Sequence, residues 1–176
     1  MRFASILLSI HLQIMEIEII IIGLICVALF ILPFYLSRRN RLKRENKYLS
    51  QIQQMALAIG SKISTHDFLQ DGIIALDEQQ AKLFFYRELN TGAQSQTIDL
   101  SKIQRCRLLN LGRNVAREGG SYRVTDKVQL AFTPLKKEQP EIIVEFFDSE
   151  HTVQLTDELK LAIKWEQFIN TNYLVK

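Results

Sequence analysis

Residues 19–36 read IIIIGLICVALFILPFYL, eighteen positions without a charged side chain. This run limits everything else the chain can be. At about 1.5 Å per helical residue it matches a hydrocarbon layer about 30 Å thick. Lipid offers the backbone no hydrogen-bond partners, so such a run spans a bilayer only as a helix. Gly23 and Pro33 are tolerable in that setting, and Phe34 and Tyr35 suit the interfacial region. Three competing readings fit less well. A cleaved signal peptide needs small residues near its cleavage site, and this run ends Tyr-Leu-Ser-Arg-Arg. A lipoprotein signal needs a small residue before Cys26, where Ile25 stands. A buried core helix is rarely apolar on every face with an arginine cluster at its end. The expectation is a transmembrane helix over residues 17–36.

Charge sets the orientation. Arg38, Arg39, Arg41, Lys43, Arg44 and Lys47 follow the run, and only Arg2 precedes it. The positive-inside rule then places the C-terminal side in the cytoplasm and a short segment, residues 1–16, outside. Within residues 1–14 a second apolar stretch has no evident purpose, and Met15 is the expected initiator. Residues 38–47 carry net +5, and so do residues 101–127; against a total of +3, the rest of the chain carries −7. Two basic clusters on an acidic background point to an anionic surface as partner.

Residues 37–63 form the expected connector, rich in helix formers and free of proline. Leu42, Leu49, Ile52, Ala56, Ile59 and Ile63 recur at heptad spacing, interrupted by Glu45. Such a stripe packs on the chain's own domain or pairs with a second copy as a short coiled coil. Ser64, Thr65, His66 and Asp67 break the helical pattern. His66 beside Asp67 resembles an acid–base pair, but neighbours at the start of an element more often cap its backbone.

From residue 64 to the end the period is strand-like. GIIALD, KLFFYRE, SQTIDL, IQRCRLLNL, DKVQLAFT, EIIVEFF and HTVQL follow one another between turn signals, with alternation visible at Val128, Leu130 and Phe132, at Ile142, Val144 and Phe146, and at Val153 and Leu155. Residues 112–122 read as a longer loop. Thr156, Asp157 and Glu158 then open a helix with a hydroxyl N-cap, and Leu161, Trp165, Phe168 and Ile169 share its apolar face. Trp165 is expected to be buried.

Seven strands closed by a helix resemble the pleckstrin-homology-like domains of the bacterial and GRAM-like kind. GIIALDEQQAKLFFY, TIDLSKIQRCRLL and ELKLAIKWEQFIN carry the resemblance over roughly residues 66–175, with Ile98, Leu100 and Ile103 in the strand after the first hairpin. It implies an α+β fold: a seven-stranded antiparallel barrel or sandwich over residues 64–176, serving as a binding module. No family binding residue carries over.

Catalytic chemistry is not encoded in any recognisable motif. The sequence has no phosphate-binding glycine loop, GxSxG elbow or HExxH pair. His11, His66 and His151 are scattered, and Cys26 and Cys106 lie far apart, so neither a metal site nor a disulfide of usual spacing is present. No enzyme, cofactor or metal is expected. Cys106 lies between Arg105 and Arg107, which would activate its thiol if they faced it; a small core residue is the plainer reading. The candidate binding residues are Lys102, Arg105, Arg107, Arg113, Arg117 and Arg123, for acidic lipid head groups or an acidic protein. A plain solvated face is the alternative, and nucleic acid fits poorly without interleaved exposed aromatics. The functional expectation is a non-enzymatic single-pass membrane protein presenting a cytoplasmic interaction module. The other reading is a structural membrane protein dimerising through its juxtamembrane helix.

Overall fold

A computed structural model describes the backbone of residues 2–89, 91–117, 120–152 and 154–174, and the side chains of these from Gly23 on, except Arg117, Ser121 and Tyr122. The chain divides into two compact units, Met1–Arg44 and Glu45–Lys176. One helix, α1 (Arg2–Ala58), runs through both.

In the first unit, Pro33 sits inside α1 without ending it. From Gly23 to Leu36 the side chains are exposed, among them Leu24, Phe30 and Phe34, each about two-thirds exposed or more. Water penalises such a surface and lipid does not. Among the described residues this is the one helix long and apolar enough to cross a membrane. Arg38, Arg39, Arg41, Lys43 and Arg44 follow it, all exposed.

The second unit begins with the last turns of α1. Tyr48, Ile52 and Ala56, at i, i+4 and i+8, are buried together with Ile73, Ala75, Phe84 and Tyr86. The packing alternative for the apolar stripe is therefore the one realised at Ile52 and Ala56. The helix stops at Ala58, short of the expected residue 63. Gly60 takes φ +68°, and the Ser61 N–H donates to the Ala56 carbonyl, closing the end in the left-handed manner glycine permits.

Four antiparallel strands follow as a meander: β1 (Thr65–Phe68), β2 (Gly72–Asp77), β3 (Lys82–Leu89) and β4 (Gly92–Asp99). Three more form a second sheet: β5 (Ile103–Arg117), β6 (Gly120–Pro134) and β7 (Ile142–Asp148). The last element is α2 (Glu158–Asn172). The central strands of the first sheet, β2 and β3, are buried on both faces. Ile73, Ala75, Phe84 and Tyr86 meet α1, while Ile74, Leu76, Leu83 and Phe85 join Leu130, Phe132, Val144 and Phe146 of the second sheet. Trp165 and Ile169 of α2 complete that main core.

The α+β class and the seven antiparallel strands stand; a single seven-stranded barrel does not. After β4 the chain makes a short 3-10 turn, Leu100–Lys102, and β5 does not pair with β4. At Cys106 the edge of β5 is taken by a side chain instead. Asn170 of α2 accepts from the Cys106 N–H at 3.2 Å and donates to its carbonyl at 2.8 Å, imitating a neighbouring strand.

Four local expectations also change. THDF forms β1, where a capping segment was expected, because it pairs with β2 from Thr65↔Leu76 to Phe68↔Ile73. HTVQL forms no strand among its described residues; the N–H groups of His151 and Thr152 bond the Asp148 carbonyl and turn the chain. The loop expected over residues 112–122 is an extension of the β5–β6 hairpin, paired out to Arg117↔Gly120. At the start of α2 the expected hydroxyl cap is reversed, with the Glu158 carboxylate accepting from the Thr156 N–H at 2.8 Å and from its hydroxyl.

Trp165 is 2% exposed, and its indole N–H donates to Asp67 at 3.0 Å, so its polar end is satisfied as well. Trp165→Ala should cost about 3–5 kcal/mol of unfolding free energy, a value expected when a large core aromatic is removed. Denaturant unfolding of the detergent-solubilised chain measures it, and a cost below about 1 kcal/mol would contradict the core role.

Candidate functional site

β5 determines where most of the basic residues go. Side chains alternate along a strand, so Arg105, Arg107, Leu109, Leu111, Arg113 and Val115 share one face. Cys106 and Leu108 occupy the other, against the core. Arginines and apolar residues thus alternate along one outer stripe, with Leu111 about half exposed.

Most of these charges are engaged. Arg107 pairs with Glu141 at 2.6 Å, Arg113 with Asp126 at 3.5 Å and Lys102 with Asp99 at 2.8 Å. The Thr133 hydroxyl and Arg107 hold the Glu141 carboxyl below its ordinary value. Lys102 and the Ser101 hydroxyl do the same for Asp99. Arg123, opposite Asn114 in the ribbon, donates to the Asn110 carbonyl at 2.9 Å. Arg105 has no hydrogen-bond or ion-pair partner among the described residues. The side chain of Arg117 lies outside the described residues. The five described residues therefore do not converge as one cationic pocket. Arg105, Arg107 and Arg113 share a stripe, Arg123 projects from the paired strand, and Lys102 sits in the 3-10 turn.

Lys47 separates from the other five basic residues that follow the apolar run. Its ammonium bonds both oxygens of Glu88, at 2.6 and 2.8 Å, which raises its pKa and ties the start of the second unit to the end of β3.

The alternative chemistries are resolved by position. Burial, with a smaller contribution from Glu166, pushes the Cys106 thiol up to about 12. Its flanking arginines point to the opposite face, so activation by them does not occur. Asp67 is committed to Trp165 and Lys164, while His66 packs edge-on against Phe68, so the two do not form an acid–base pair. Asp148, Glu150 and His151 bring one ligand atom each within 4.8 Å of one another. Both Asp148 oxygens are already used, by Lys127 at 2.7 Å and by the Glu150 N–H at 2.9 Å.

The sequence reading passed over Arg87, whose side chain is wholly buried. It bonds Asp71 at 2.9 Å, the Glu145 carboxylate at 2.8 Å, the Glu145 carbonyl at 3.3 Å and the Thr152 hydroxyl at 3.3 Å. Strand alternation carried the signal: Leu83, Phe85 and Arg87 fall on the inward face of β3.

No family model, curated protein or solved structure matches this chain.

Arg87 joins the first sheet to β7 and to the segment before α2, so removing it strands two partly buried carboxylates. Arg87→Ala should destabilise the protein by about 3–5 kcal/mol, the range seen when one partner of a buried pair is deleted. Arg87→Lys should recover only part of this, because an ammonium cannot reproduce the planar fork. Comparing the two variants by denaturant unfolding checks both statements.

Proposed function

We propose that the chain is a single-pass membrane protein whose second unit is a non-enzymatic, PH-like interaction module held at the cytoplasmic face. One observation carries the reading: an exposed, wholly apolar stretch of α1 is followed at once by five exposed basic residues and then by a folded unit. The apolar stretch has the length and composition of a span, and the basic block sets its orientation. Four plus three antiparallel strands closed by a helix support the PH-like resemblance. A fold of that kind does not specify a ligand, so the partner is read from surface chemistry.

The outer stripe of β5 is cationic with apolar residues between the charges. That suits anionic lipid head groups or an acidic protein surface, and Arg105 is the side chain with charge to spare. A membrane tether raises the local concentration of the module at such a surface, so weak attraction suffices. Dimerisation through the juxtamembrane helix is less well supported, because Ile52 and Ala56 are spent on the chain's own sheet.

Topology is the first test. A reporter fused after Lys176 should be active only in its cytoplasm-dependent form, and protease added to intact cells should spare the second unit. A fusion active only outside the cytoplasm contradicts the proposal.

A further inference from the structure

A cleft of about 570 Å³ lies between the two sheets, lined by Phe85, Ala93, Gln94, Ser95, Gln96, Ile143 and Glu145. It differs from the rest of the inter-sheet space in being polar, and it involves none of the basic residues considered above. Its walls are the free margins of two sheets, β4 at the end of the first and β7 at the end of the second.

Two observations indicate what it accepts. First, neither margin is paired with a further strand among the described residues. The Glu145 carbonyl points away from β6 and is met by the Arg87 guanidinium, not by a strand. Ile143, two residues away on the same strand, turns its backbone groups the same way. On the other wall, residues 92–96 (Gly-Ala-Gln-Ser-Gln) are exposed or half-buried and contain no lysine, proline or other charge, the usual protections of an edge strand. Second, Gln96 Oε1 is a buried side-chain acceptor without a hydrogen-bond partner among the described residues. Gln96 stands opposite Phe85 in the register, so its side chain is on the inward face of the sheet. Leaving a buried acceptor unpaired is unfavourable and is rare in native proteins.

We propose that this cleft binds an extended polypeptide segment of a partner protein, which adds as a strand to β4 and supplies hydrogen bonds to Gln96. An extended backbone fits because it offers N–H and C=O groups at strand spacing, which is what an open sheet edge lacks. It carries donors and acceptors alike, so it complements the Gln96 amide in either orientation. Phe85 and Ile143 provide apolar contact for alternate side chains, and Glu145 disfavours acidic ones.

The probe is a displayed library of random twelve-residue peptides selected against the detergent-solubilised full chain. Enriched peptides should slow amide hydrogen exchange in residues 92–97 and 142–145. Gln96→Leu removes the unpaired acceptor, so this variant should be at least as stable as the parent while its affinity for those peptides falls by about three- to tenfold. Lys160→Glu, on the outer face of α2, should leave affinity unchanged. The proposal is overturned if no peptide is enriched, if protection maps to β5 or α2, or if Gln96→Leu binds as well as the parent. These outcomes are independent of topology, so failure here is distinguishable from failure of the membrane-tether reading.

Discussion

Strands β2 and β3 of the first sheet are buried on both faces, and the rest of the second unit is arranged around that constraint. Every residue of β2, GIIALD, is buried. One face is satisfied by the second sheet and α2, as in any two-layer β structure. The other needs a separate cover, and the last turns of α1 supply it with Tyr48, Ile52 and Ala56. Burying a side chain the size of Ile73 or Phe84 contributes about 1.5–3 kcal/mol, so uncovering that face would remove a large part of a stability typically of 5–15 kcal/mol. The end of α1 is thereby a layer of the domain rather than a linker to it.

Where the two sheets end, polar chemistry replaces apolar packing. Arg87 reaches from β3 to β7 and to the segment before α2, and its partners Asp71 and Glu145 are each about one-fifth exposed. A guanidinium can do this because its planar fork bonds several oxygens at once. At the opposite margin, Asn170 completes the hydrogen bonding of Cys106 with one amide. Side chains thus stand where strands would be in a closed barrel, and the margin at β4 and β7 stays open.

Much of this was legible in the residues. The period-two alternation of VQLAF and IIVEFF reports a burial requirement, which the structure meets at Val128, Leu130, Phe132, Val144 and Phe146, and the apolar run reports a helix, which α1 supplies with its side chains exposed from Gly23 to Leu36. What the sequence concealed depended on long-range partners. THDF has no apolar alternation, and it is a strand because β2 offers it a ladder. Residues 112–122 carry glycines that read as a loop, yet β5 and β6 pair there out to Arg117↔Gly120. Lys47 looked like one of six membrane-flanking charges, and only the fold brings Glu88 to it. The countercharges of the basic residues, Asp99, Asp126 and Glu141, could not be assigned without the register. Arg87 was discoverable by parity alone, since a charged residue in phase with Leu83 and Phe85 must be buried with partners.

The role of residues 45–58 as a layer of the domain can be measured directly by comparing two soluble fragments, residues 45–176 and residues 64–176, in denaturant. The longer fragment should unfold in one cooperative transition, and the shorter should lose that transition and bind a hydrophobic dye through the uncovered Ile73 and Phe84 face. Equal stability of the two fragments would contradict the account, because the helix would then be a linker after all.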